Sequence, residues 1–145
     1  MTETPEAQIL AVIRRSGGRL TAPTRTVVAI LAERDDHLSV DDLMSEFERR
    51  MPGIAPSTIY RVLQRLDQLR LVEQIHSGIG PTFFHLRHQG HAHLVCDRCG
   101  SITDIPDTEL DGLREAVARD HGFTIEPHHS AVRGVCRSCA TKPPD

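Results

Sequence analysis

The chain has 145 residues with 17 Lys+Arg against 20 Asp+Glu, a formal net charge of −3, 39% hydrophobic residues, 3% aromatic residues, four Cys and nine His. This length allows one domain or two small ones with a modest core; the apolar fraction excludes a disordered chain, and the charge balance excludes bulk coating of nucleic acid while leaving room for a local basic face. The longest apolar run, residues 27–32, is too short to cross a membrane, and Arg14, Arg15 and Arg19 interrupt the first 25 residues before a secretory core forms, so a cytoplasmic protein with reduced thiols is expected.

Residues 1–82 read as helices followed by a hairpin. Residues 5–15 carry Ile9, Leu10, Val12 and Ile13 in a short amphipathic segment closed by Gly17-Gly18. Pro23 starts a second helix with Val27, Val28, Ile30 and Leu31, ending near Arg34. Ser39 is a good N-cap with Asp42 in the first turn, and Val40, Leu43, Met44, Phe47 and Met51 follow at helical spacing until Pro52-Gly53. Pro56-Ser57-Thr58 opens a fourth helix with Ile59, Val62, Leu63, Leu66 and Leu69 on one face. Residues 71–76 and 82–86 read as strands around the flexible turn Ser77-Gly78-Ile79-Gly80-Pro81.

That outline is a winged helix-turn-helix. On the helix over 56–69, Ser57, Tyr60, Arg61, Gln64 and Arg65 are left for the outer face, and such side chains hydrogen-bond phosphates and base edges. A solvated face on an ordinary helical bundle gives the same pattern. The first half holds 10 Arg against 11 acidic residues, so any basic face is local.

Beyond Pro81 the composition changes. Residues 83–86, 91–96 and 101–105 read as short strands, 106–120 as a helix with Leu110, Leu113 and Val117 in a stripe and Gly122 as its stop, and 123–125 and 131–135 as further strand material. All four Cys and eight of the nine His lie between His76 and Cys139. Cys96-Asp97-Arg98-Cys99 and Cys136-Arg137-Ser138-Cys139 are two C-x-x-C knuckles with 36 residues between the inner cysteines, a set that can present four thiolates tetrahedrally to a structural zinc. A dithiol oxidoreductase is the rival reading, although neither pair opens a helix of a βαβ unit. His91 and His93, two apart on an expected strand, project from one face; His85 lies on the neighbouring strand and Asp104 on the strand leaving the first knuckle. Imidazoles with a carboxylate suit zinc, nickel, iron, manganese or cobalt. There is no phosphate loop, H-E-x-x-H or G-x-S-x-G motif, and no enzyme activity is expected.

Together the stretches Arg19-Leu20-Thr21-Ala22-Pro23-Thr24-Arg25, His37-Leu38-Ser39-Val40-Asp41-Asp42-Leu43, Ser57-Thr58-Ile59-Tyr60-Arg61-Val62-Leu63, the run from His91 through Gly100 and Gly134-Val135-Cys136-Arg137-Ser138-Cys139 resemble the ferric uptake regulator family of metal-responsive repressors. The resemblance implies an α+β protein with an N-terminal winged-helix DNA-binding domain (1–82, hinge about 78–82), a C-terminal α/β dimerisation domain (83–141) and a tail (142–145). It implies a homodimer on a palindromic double-stranded DNA operator, with Tyr60 and Arg61 reading the major groove, Ser57 and Thr58 near phosphates and Arg19 near the minor groove. It assigns Cys96, Cys99, Cys136 and Cys139 to a structural zinc. It assigns His37, His85, His91 and His93 to a regulatory site for a second divalent metal, zinc, iron or nickel with manganese as a further candidate, and places Asp104 where the peroxide-sensing branch has a ligand. At His85 the family more often carries Glu, Asp or a Cys-containing set. A further metal site of the family is expected to be absent or incomplete, because two of its positions are Gly90 and Ala92, while Asp111 and His129 occupy the others. The alternatives are a peroxide-sensing regulator loaded with iron or manganese, a thiol oxidoreductase and a metal-storage protein.

Overall fold

A computed structural model of the chain describes residues 4–34, 36–78, 80–87, 91–126 and 131–142. It is a mixed helix-and-sheet protein, the α+β class expected from the sequence, and its backbone clusters into two compact units. One takes in the chain up to Gln74 together with Thr82–Arg87; the other comprises Ile75–Pro81 and the chain from His88 onward.

The first unit is built on four helices. Helix α1 (Pro5–Arg15) has Pro5 in its first turn and the Thr4 hydroxyl accepting from the Ala7 N–H, and it buries Ile9 and Ile13 one turn apart. Helix α2 (Ala22–Arg34) is apolar enough to bury Val27, Val28, Ile30 and Leu31, and it packs against α1 and the two helices that follow. Strand β1 (Leu38–Ser39) leads into α3 (Val40–Arg50) through a reciprocal cap: the Ser39 hydroxyl accepts from the Asp42 N–H at 3.1 Å and the Asp42 carboxylate accepts from the Ser39 N–H at 3.0 Å. The Ser39 hydroxyl, which donates to the same carboxylate, holds Asp42 below the usual carboxylate range. Arg50 joins α3 to α2 by bonding Glu33 as well as Glu46. Helix α4 (Pro56–Gln68) buries Ile59, Val62, Leu63 and Leu66, which complete the core with Leu43, Phe47, Val72, Phe84 and Leu86.

Strands β2 (Val72–His76) and β3 (Thr82–Leu86) form the expected hairpin, and β3 also pairs antiparallel with β1, Leu38 opposite Phe84. That pairing keeps Thr82–Arg87 with the first unit, whereas the turn Ile75–Pro81 clusters with the second.

In the second unit β4 (His91–Cys96) is the central strand. It pairs antiparallel with β5 (Ile102–Pro106), His93 opposite Asp104, and parallel with β6 (Ala131–Gly134), Val95 opposite Arg133. A 3-10 turn (Asp107–Leu110) precedes α5 (Asp111–His121), so the helix begins later than the expected residue 106. Residues 123–125, expected as strand, are irregular. Gly122 ends α5 in the left-handed region at φ 63°, and the Phe123 N–H turns back to the Val117 carbonyl, which spends its backbone on closing the helix instead of joining the sheet. A last short helix, α6 (Arg137–Ala140), follows β6.

Candidate metal centres and DNA-reading face

The four cysteines come together at one end of the second sheet. Cys96 is the last residue of β4, Cys99 follows in a turn closed by Gly100 at φ 71°, Cys136 caps α6 and Cys139 lies within it. All four are free thiols whose sulfur atoms lie within 4.8 Å of one another, and Cys99 Sγ is 3.8 Å from Cys136 Sγ. A disulfide needs about 2.05 Å. A tetrahedral ion with Zn–S bonds of about 2.3 Å sets its sulfurs about 3.8 Å apart. The donor set and its spacing fit zinc.

Electrostatics separate Cys96 and Cys99 from Cys139. The Cys136 N–H, 3.3 Å from Cys96 Sγ, and the Cys99 N–H hold Cys96 down to about 6. The Ser101 hydroxyl, 3.1 Å from Cys99 Sγ, lowers that thiol too. Cys139 is pushed up to about 12, chiefly by the neighbouring Cys136 thiol. Thiols held down beside one pushed up, Cys139, make a site that a dication completes by displacing a proton. The residues inside the first knuckle brace it: Arg98 Nη1 donates to the Cys139 and Lys142 carbonyls at 2.7 and 3.1 Å, and the Asp97 N–H donates to the Gly134 carbonyl at 2.8 Å.

The expected regulatory residues fall in two groups, one in each unit. In the first unit His37, half-buried just before β1, has its ring centroid 4.8 Å from that of His85 on β3. His85 Nδ1 lies 2.7 Å from the Leu86 carbonyl oxygen. A carbonyl only accepts, so the ring proton belongs on Nδ1 and Nε2 is the nitrogen directed at Glu73 Oε2, 3.2 Å away. Both side chains are buried. A neutral ring in that tautomer sets a lone pair against a carboxylate, a clash removed by a second proton or by a metal cation. Glu73 was not anticipated from sequence; its signal is an acid on the same side of the strand Val72–His76 as Ile75, at a buried position.

In the second unit the His91 and His93 rings on β4 stand 4.9 Å apart, and His93 is buried. Asp104, its neighbour across the sheet, accepts from His93 Nδ1 at 2.8 Å. That contact fixes the tautomer and presents Nε2 as the electron-pair donor, the arrangement by which a carboxylate orients a metal-binding histidine. Of the positions considered for a further metal site, Gly90 and His129 lie outside the described residues, as do His88 and His128; Ala92 is buried, and Asp111 accepts from Arg114 Nη1 at 3.3 Å.

On α4 the residues expected at DNA are displayed as the helical period requires. Ser57, Tyr60 and Arg61 are exposed, with Gln64 and Arg65 beside them, while Thr58 is half-buried behind them. Tyr60 is 53% exposed, unusual for an aromatic ring without a solvent-side partner to meet. The N-terminus of α4 carries no side-chain cap and no acid in its first turn; Pro56 has no N–H there, and the Thr58 N–H donates to the Ala55 carbonyl at 2.9 Å. Arg19, between α1 and α2, is exposed.

The sequence profile of the Ferric uptake regulator family matches residues 15–133. A Ferric uptake regulation protein of Bacillus subtilis is 33% identical over 135 residues, which cover 90% of this chain and 91% of that protein. A Zinc uptake regulation protein of Mycobacterium tuberculosis is 32% identical over 125 residues, 86% of this chain and 96% of that protein. The solved ferric uptake regulator of Vibrio cholerae has a TM-score of 0.69 at 25% identity, covering 87% of this chain and 98% of that one. The match over residues 15–133 and the shared fold lead to one assignment: this chain belongs to the Ferric uptake regulator family of metal-responsive transcription regulators, which are not enzymes.

Proposed function

We propose that the protein is a homodimeric, metal-dependent repressor that binds a palindromic operator through α4, carries a structural zinc on Cys96, Cys99, Cys136 and Cys139, and senses a second divalent metal. The observation that carries this reading is the division of the nitrogen and oxygen donors: His37, Glu73 and His85 belong to the unit with the reading helix, His91 and His93 to the unit with the cysteines. A cation that takes ligands from both groups fixes the angle between reading helices in a dimer. Major-groove half-sites demand a defined spacing, so a metal-set angle converts metal occupancy into operator affinity.

Each residue then has a physical task. Glu73 supplies an anionic oxygen and neutralises part of the cation's charge, and Asp104 is the second carboxylate of the set, beside His93. The Leu86 carbonyl and the Asp104 carboxylate hold His85 and His93 in the tautomers that offer Nε2. Imidazoles with carboxylate suit zinc and iron, and nickel remains open to so nitrogen-rich a set. Tyr60 and Arg61 read base edges, Ser57 and Thr58 meet phosphates, and Arg19 reaches the minor groove. Dimerisation is supported by an apolar face on the second unit: Leu94, Leu113, Phe123, Val132 and Val135 are all exposed, and α5 buries none of its side chains. Elemental analysis of the purified protein, followed by gel shift of its own promoter DNA with zinc, iron(II), nickel or manganese(II), tests the reading. Metal-enhanced binding is expected with at least one ion; binding that a chelator leaves unchanged refutes it.

A further inference from the structure

Ile75–Pro81, the turn of the β2–β3 hairpin, clusters with the second unit, although the strands it joins run on into the first. One side chain grips this turn by two hydrogen bonds. Arg133 on β6 donates from Nη1 to the His76 carbonyl at 2.9 Å and from Nη2 to the Ser77 carbonyl at 3.3 Å, and the same Nη2 bonds Asp97 Oδ1. Asp97 is the residue after Cys96 in the first knuckle, where its own N–H is held by the Gly134 carbonyl. The planar guanidinium suits this task, because it can grip two carbonyls and a carboxylate in one geometry that a lysine cannot reproduce.

The surroundings are shaped to this grip. Gly78 has φ +84°, and a Cβ there would come 2.0 Å from Arg133 Nη2, so the chain must pass over the guanidinium as glycine. Ser77 is fully buried and its hydroxyl donates to the Pro81 carbonyl at 3.1 Å, closing the turn on itself. Gly100, at the end of the first knuckle, lies where a Cβ would be in van der Waals contact with Ser77 Cβ at 3.7 Å. Glu73 and His85 sit on the two strands that this turn connects.

We propose that Arg133, held by Asp97, is a positioning residue that pins the hairpin turn to the zinc knuckle, so that the structural zinc sets the conformation of the turn as well as stabilising its own unit. The proposal rests on the reading of the four cysteines as a zinc site. Asp97 lies between two ligands of that site; release of the ion frees the Asp97 backbone, then the guanidinium, then the two carbonyls.

Hydrogen exchange read by mass spectrometry on the full chain, with zinc content measured on the same samples, tests it. In Arg133→Ala with zinc retained, exchange over residues 75–82 is expected to rise roughly tenfold, since charge-assisted bonds limit opening there. Asp97→Asn and Arg133→Lys are expected to give smaller rises. Chelation is expected to accelerate the same segment in the wild type and to add little in Arg133→Ala. Unchanged exchange in zinc-loaded Arg133→Ala overturns the proposal, as does equal acceleration by chelation in that variant and the wild type. Zinc loss from all three variants also overturns it, because the pair then only supports the zinc site. A wild type that binds no zinc refutes the zinc reading separately, while the comparison of Arg133→Ala with wild type still judges the tie.

Discussion

Removal of the cysteine-bound zinc should unfold one unit and spare the other. Among the described residues, the buried apolar side chains of the second unit are Ile75, Ala92, Val95 and Cys96, and α5 and β6 bury none. Full burial of a Val- or Ile-sized side chain contributes about 1.5–3 kcal/mol, so Ile75 and Val95 together supply roughly 3–6 kcal/mol. A structural zinc contributes about 10–16 kcal/mol of apparent binding energy at neutral pH. Within one protomer the proposed zinc therefore outweighs the buried apolar core of its unit by a factor of about two or more, even before the cost of ordering the chain is counted. The first unit has no such dependence, because Phe47, Leu43, Leu31, Leu63 and their neighbours form a closed core from four helices. The assay is hydrogen exchange during chelation, with released zinc and titrated thiols followed in parallel. Amides of β4 and β5 should lose protection as zinc leaves, while those of α2 keep it. Protected β4 amides after full zinc release, or simultaneous loss in α2, would refute this reasoning.

Three further outcomes follow from the same geometry. Zinc affinity should rise with pH: the Cys139 thiol, pushed up to about 12, carries a proton at neutral pH that metal binding must displace, whereas Cys96, held near 6, is already largely thiolate. Each displaced proton makes affinity change about tenfold per pH unit, and calorimetry in buffers of different ionisation enthalpy counts the protons; no release would contradict the thiol assignments. Glu73→Gln, which keeps the shape and removes the charge, should lower second-metal affinity by about 10–100-fold without loss of the cysteine-bound zinc, as measured by competition with a chelating dye. Arg61→Ala should weaken operator binding by about 1–3 kcal/mol and leave metal content unchanged, measured by anisotropy at fixed salt; unaltered affinity would remove Arg61 from the interface.

The parts of the fold legible in the sequence were those set by local rules. The Ser39–Asp42 cap, the stop at Pro52-Gly53 and the apolar stripe of α4 are each written in a few adjacent residues, and all appear as expected. The cysteine pairs were equally plain, since the knuckle spacing prefigures a turn before any tertiary contact forms. What escaped was nonlocal. Strand β1 is two residues long and exists only because Leu38 and Ser39 pair with Phe84 and Phe83, which is also why β3 stays with the first unit. Residues 123–125 have strand-like composition, but the preceding left-handed glycine commits them to the helix end. Glu73 escaped for the opposite reason: one acid in a short strand is ordinary, and its meaning comes from His85 at 3.2 Å across the hairpin.

His37 isolates the proposed cation shared between the two donor groups, because it belongs to the unit that carries the proposed reading helix and lies far in sequence from the cysteines. Operator binding by His37→Ala should be followed by anisotropy across a titration of the sensed metal, with zinc content and dimer mass checked on the same protein. The variant is expected to keep its zinc and its dimer and to lose the metal-driven gain in affinity, a coupling of about 1–3 kcal/mol per site, or 5- to 150-fold. A full metal response in His37→Ala would contradict the account.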